Sequence, residues 1–108
     1  MKKVAKNLNH LELVGCCKSK LRKAILKNSD KDLIITICEC VYNLLCGNVI
    51  TDRKILKKLE SHKKTMRKLV SSNDSIESKR NLLIQKGGFL PIIIPTILDL
   101  VTRLFKQE

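Results

Sequence analysis

Tryptophan is absent from this 108-residue chain, and its aromatic residues are Tyr42, Phe89 and Phe105. Modules that stack bases on aromatic faces, of the RRM or OB kind, need a richer supply. Glycine is scarce as well. Gly15, Gly47 and the pair Gly87-Gly88 are the four, and none stands in a phosphate-loop pattern. Acidic residues number 10 against 22 Lys and Arg; scattered among the lysines, they read as surface charges or helix caps. No motif sets a nucleophile beside a base. The expectation is therefore a protein that is not an enzyme, with no catalytic residue, no metal and no cofactor. The length fits one domain with one small core.

What the chain has in excess is positive charge, +12 formally. With 44% hydrophobic residues it is too apolar for a disordered basic tail. The five cysteines are Cys16, Cys17, Cys38, Cys40 and Cys46. Their odd number, and the lack of an apolar run after the basic residues 1–6, predict free thiols in a reducing, intracellular compartment. Zinc held by Cys38, Cys40 and His10 or His62 is the rival reading. Two residues apart on a helix, however, Cys38 and Cys40 point about 200° apart. Core packing is the better fit for such thiols.

Charge divides the chain. Residues 1–29 carry +7, 30–50 carry −2, 51–88 carry +7, and 89–108 balance to zero. In the first block Leu11, Val14, Leu21 and Ile25 make one apolar stripe, predicting a helix over 8–26 weakened by Gly15. Asn28-Ser29-Asp30 gives a stop and a new N-cap. The run LIITICECVYNLLC then repeats Ile34, Ile37, Val41, Leu44 and Leu45 at helical spacing, as a buried central helix should, and Gly47 suits its left-handed end. A third helix is predicted over 52–70, capped by Thr51, with Ile55, Leu59, His62, Met66 and Leu69 as its seam. His62 reads there as a packing residue. A short fourth helix, capped by Asp74 or Ser75, reaches Gly87-Gly88. No internal repeat or low-complexity tract interrupts this pattern.

The end of the chain, FLPIIIPTILDLVTRLF, is a different material. It is shorter than the about 20 apolar residues of a membrane span, and Asp99 and Arg103 could pair across one turn of it. Folding back to complete the core and insertion into a membrane or partner are both open on hydropathy. The fold class expected is all-α, a small helical bundle of three main helices plus a short fourth and a hydrophobic C-terminal helix. Residues 1–73 form the basic domain, 74–88 a short helix and Gly-Gly hinge, and 89–108 the hydrophobic helix. On this division residues 1–88 should fold alone.

Function is sought in the charge. At 100° per residue, Lys54, Lys57, Lys64 and Lys68 share one face of the third helix, flanked by Arg53, Lys58 and Arg67. A face so basic attracts polyanions, and nucleic acid, double-stranded DNA above all, is the commonest large one. Contacts would fall on phosphates without sequence readout. The alternative is a membrane-active or protein-interaction protein that uses Phe89, Ile93, Ile97, Leu100 and Leu104 as an apolar stripe, its lysines meeting anionic headgroups.

Two stretches, LRKAILKNSDKDLIITICECVYNLLCGNV and KRNLLIQKGGFLPIIIPTIL, resemble small proteins of Polinton/Maverick and adintovirus-like elements, large DNA transposons or virus-like genomes of animals. Gly87-Gly88 followed by Leu-Pro and aliphatic residues is also similar to the C-terminal part of adenovirus core protein X, the precursor of the DNA-condensing peptide mu. The resemblance implies a basic protein packaged with double-stranded DNA in a virion, or found in the host nucleus, with contacts to capsid protein. It also implies a processing site after Gly88. Gln85 departs from that pattern, standing where an aliphatic residue is usual, and the basic part is Lys-rich where mu is Arg-rich.

Overall fold

The computed structural model describes the backbone of residues 7–16, 18–47 and 52–106, with their side chains except at 8, 16 and 100–106. The protein is an all-α helical bundle with no strand among these residues. Its α-helices are α1 (Leu8–Cys16), α2 (Ser19–Asn28), α3 (Lys31–Leu45), α4 (Arg53–Leu59), α5 (Lys63–Leu69), α6 (Ile76–Lys86) and α7 (Leu90–Lys106). One 3₁₀ turn, Glu60–His62, joins α4 to α5, and another, Gly87–Phe89, joins α6 to α7. The radius of gyration, 13.0 Å, is what one compact domain of this length should have.

The caps are local and legible. Asp30 accepts from the Leu33 N–H at 3.0 Å, and Ser75 from that of Ser78 at 3.1 Å. Asp52, rather than Thr51, caps α4 by accepting from Ile55 at 2.9 Å; Thr51 lies outside the described residues. Gly47 takes φ 75° just past α3, a conformation that would strain any side chain.

Helix α3 is the central element. Leu33, Ile34, Thr36, Ile37, Cys40, Val41 and Leu44 are all buried. The one hydroxyl among them is satisfied: Thr36 Oγ1 donates to the Asp32 carbonyl at 2.7 Å and accepts from Asn7 Nδ2 at 3.1 Å.

Two expected helices are broken. The helix expected over 8–26 is α1 and α2, with Lys18 extended between them. Leu11 and Val14 face the core, whereas Leu21, which the single-helix stripe would bury, is 54% exposed. The cause is tertiary. α1 packs chiefly on α7 and α2 chiefly on α6, and one straight rod could not serve both. The helix expected over 52–70 is likewise α4 and α5, yet its seam survives. Leu59, Met66 and Leu69 are buried, and Ile55 and His62 half-buried.

The hydrophobic segment folds back, in its described part, to complete the core. Phe89, Leu90, Ile93, Ile94 and Ile97 are each at most 1% exposed. Gly15 admits this close approach. A Cβ built there would meet Ile94 Cγ2 at 2.8 Å, and the buried Ile94 has nowhere to move. Gly15→Val should therefore destabilise the protein. Overpacking of about 1–3 kcal/mol outweighs the helix-propensity gain over glycine, which is under about 1 kcal/mol. In urea the midpoint should fall with the slope unchanged.

Segments 1–73, 74–88 and 89–108 pack on one another, α1 on α7 and α2 on α6. At Gly87-Gly88 the helical path continues as a 3₁₀ turn, with Gly87 buried and Gly88 exposed. By length and composition the continuous run Ile76–Asp99 could cross a membrane, its most apolar 18-residue window having a mean hydropathy of 1.4. The core helix of a globular protein has the same signature.

Candidate nucleic-acid interface

Asp52 opens the most basic part of the molecule. Through α4, the 3₁₀ turn and α5, the chain carries Arg53, Lys54, Lys57, Lys58, Lys63, Lys64, Arg67 and Lys68, with Glu60 as the only acid among them. All eight cations are exposed. Among the described residues none of them is in an ion pair. The buried seam on the other side, Leu59, Met66 and Leu69, holds the rod against the bundle, so the charges are presented on a fixed support.

A 3₁₀ turn interrupts the regular helix between α4 and α5. Lys54, Lys57, Lys64 and Lys68 are exposed on its two sides, and so is Lys63, which the regular-helix reading passed over; its only signal in the sequence was adjacency to Lys64. No aromatic residue lies in this stretch. The surface can supply point charges and guanidinium forks to phosphate oxygens, and offers no aromatic ring as a stacking platform.

Other basic residues of the two +7 blocks are spent structurally. Arg80 is buried, and its Nη1 donates to the carbonyls of Leu26 and Ser29, both at 2.7 Å, and to Ser29 Oγ at 2.9 Å. Its Nε lies 3.3 Å from Glu77. The guanidinium closes the C-terminal end of α2, where unpaired carbonyls favour a cation. Arg22 is buried to the same extent. Block charge alone overstated the accessible cations.

The alternative apolar stripe lies elsewhere than a surface. Phe89, Ile93 and Ile97 are core residues, and the side chains of Leu100 and Leu104 lie outside the described residues, as does Arg103, the proposed partner of Asp99. The His62 ring packs on Phe89 with centroids 5.8 Å apart, tilted by 52°. The packing reading of His62 holds.

Cys38, Cys40 and Cys46 are free thiols; Cys16 and Cys17 fall outside the described side chains. Among the described residues no group of three or more His, Cys, Asp and Glu could hold a metal ion. Burial, aided by Glu39 and Cys38, pushes the Cys40 thiol up to about 12. An unfolded cysteine ionises near pH 8.5. Between these values the unfolded chain has lost a proton that the folded one keeps, so stability falls as pH rises. The wild type should lose up to about 1.4 kcal/mol per pH unit above pH 9 relative to Cys40→Ala, and nothing below pH 8. Urea titrations of both proteins across that range check it.

The fold and surface together define a small all-α bundle that presents a polycationic rod interrupted by a 3₁₀ turn. Comparison with models of known protein families, with curated proteins and with solved structures gives no significant match to this chain.

Proposed function

We propose that this protein binds nucleic acid without sequence selectivity, through phosphate contacts made by α4 and α5, with double-stranded DNA as its principal partner. The observation that carries the reading is the set of eight exposed, unpaired cations on one rigidly packed rod. Unpaired lysines and arginines can exchange places with the counterions of a polyanion at little loss of internal contacts. Duplex is favoured over single strands because the rod offers no aromatic platform.

Packaging or compaction of DNA in a virion, or binding in a host nucleus, is the setting that the resemblance to virus-like elements suggests. Cleavage after Gly88 would require the Gly87–Phe89 turn to open, since Gly87 and Phe89 are buried. Insertion of the C-terminal helix in a membrane or a capsid protein would require Phe89, Ile93 and Ile97 to leave the core. DNA binding needs no such rearrangement and is the reading preferred.

Fluorescence anisotropy with two labelled duplexes of unrelated sequence at low salt tests it. Equal affinity for both is expected. Failure to bind either, or a strong preference between them, contradicts nonspecific phosphate binding.

A further inference from the structure

Between the end of α3 and the α4–α5 rod lies a cleft of about 270 Å³. Three of its lining residues, Leu44, Leu59 and Met66, are buried; Leu45 is half-buried and Leu56 is 46% exposed. The lining is completed by Lys63 and Arg67, both exposed and one turn apart on α5. No acidic residue lines the cleft. Among the described residues neither cation is in an ion pair.

Leucine and methionine side chains give water no hydrogen-bond partners, so apolar matter gains by displacing it. An apolar cavity of about 150 Å³ already admits benzene. This cleft is larger, and the flexible thioether of Met66 can adapt to what enters. Its lining also selects the shape of the ligand. A helix laid across a surface needs an apolar face with anchors over several turns. The exposed large hydrophobic residues of the described chain are Leu13, Leu21, Tyr42 and Leu56, and of these Leu56 alone borders the cleft. The apolar lining is sunk and not spread. A second copy of the chain is disfavoured by charge, since each brings +12. What remains is a narrow apolar chain with an anionic head, which Lys63 and Arg67 are placed to pair.

We propose that this cleft binds a single-chain anionic amphiphile, the carboxylate of a fatty acid of medium length. The site shares two cations with the nucleic-acid surface and does not rest on that reading. A protein that binds the fatty acid but no duplex ends the nucleic-acid reading and keeps this one.

The test is isothermal titration of the full-length protein with decanoate at neutral pH, below its micelle-forming concentration. One saturable site per chain is expected. Octanoate, two methylenes shorter, should bind about fifteenfold more weakly. Two variants replace exposed side chains, and circular dichroism should show both folded. Leu56→Asn removes an apolar wall without changing the charge. It should weaken decanoate by about threefold or more and leave duplex affinity unchanged. Lys63→Gln with Arg67→Gln should weaken decanoate by about threefold or more, while the uncharged decanol binds as it does to wild type.

Absence of a saturable site overturns the proposal. So does decanoate affinity that is undiminished in either variant, or equal for octanoate, since the binding would then be general attraction to a cationic surface. A concentration-dependent dimer that Leu56→Asn dissociates, without decanoate binding, would assign the cleft to self-association and overturn it equally.

Discussion

A chain ending at Gly88 is expected not to fold. The truncation removes Phe89, Leu90, Ile93, Ile94 and Ile97, all essentially fully buried. At about 1.5–3 kcal/mol for each large apolar side chain, the loss is about 8–15 kcal/mol. The whole net stability of a small domain is about 5–15 kcal/mol. The loss therefore reaches the whole of it. It also uncovers Leu11 and Val14 on α1, the helix that packs chiefly on α7. Circular dichroism of residues 1–88 should show diminished helicity and no cooperative urea transition. A cooperative transition with native helicity would show that the C-terminal helix is dispensable, and would restore the separable tail that the Gly-Gly pair suggests in the sequence.

Charge reversal on the rod should have the second large effect, on function and not on folding. Lys57, Lys64 and Lys68 are exposed, and surface substitutions away from special features stay within about 0.5 kcal/mol each. Each Lys→Glu exchange removes two units of charge, so the triple variant lowers the formal charge from +12 to +6. Losing three phosphate contacts should make the slope of log affinity against log salt shallower by about 2.7 for a duplex. Adding three repulsive charges should weaken low-salt binding by a further large factor, equally for every sequence. Retained wild-type affinity in a folded triple variant would move the binding surface away from α4 and α5.

Much of this molecule can be read from residue patterns, and the exceptions share a cause. The apolar period of α3, the caps at Asp30 and Ser75, the end at Gly47 and the seam of α4–α5 are local features, set by residues within a turn or two of one another. The break between α1 and α2 is different, because the two helices pack on α7 and α6, far along the chain. The burial of Arg80 depends on carbonyls at Leu26 and Ser29, more than fifty residues before it. No spacing rule reaches that far. The basic residues of the candidate site were legible as a run, but not the 3₁₀ turn that divides the run between α4 and α5, because residues 60–62 carry no proline or glycine signal. The placement of the C-terminal helix was undecidable on hydropathy, since a core helix and an inserted one are equally apolar.

The most direct test of the central claim is the salt dependence of wild-type binding to a duplex. With six to eight of the rod's cations each replacing a counterion, the slope of log affinity against log salt should be about −5 to −7. A slope near zero, or no binding at low salt, would contradict a phosphate-contacting role for this surface.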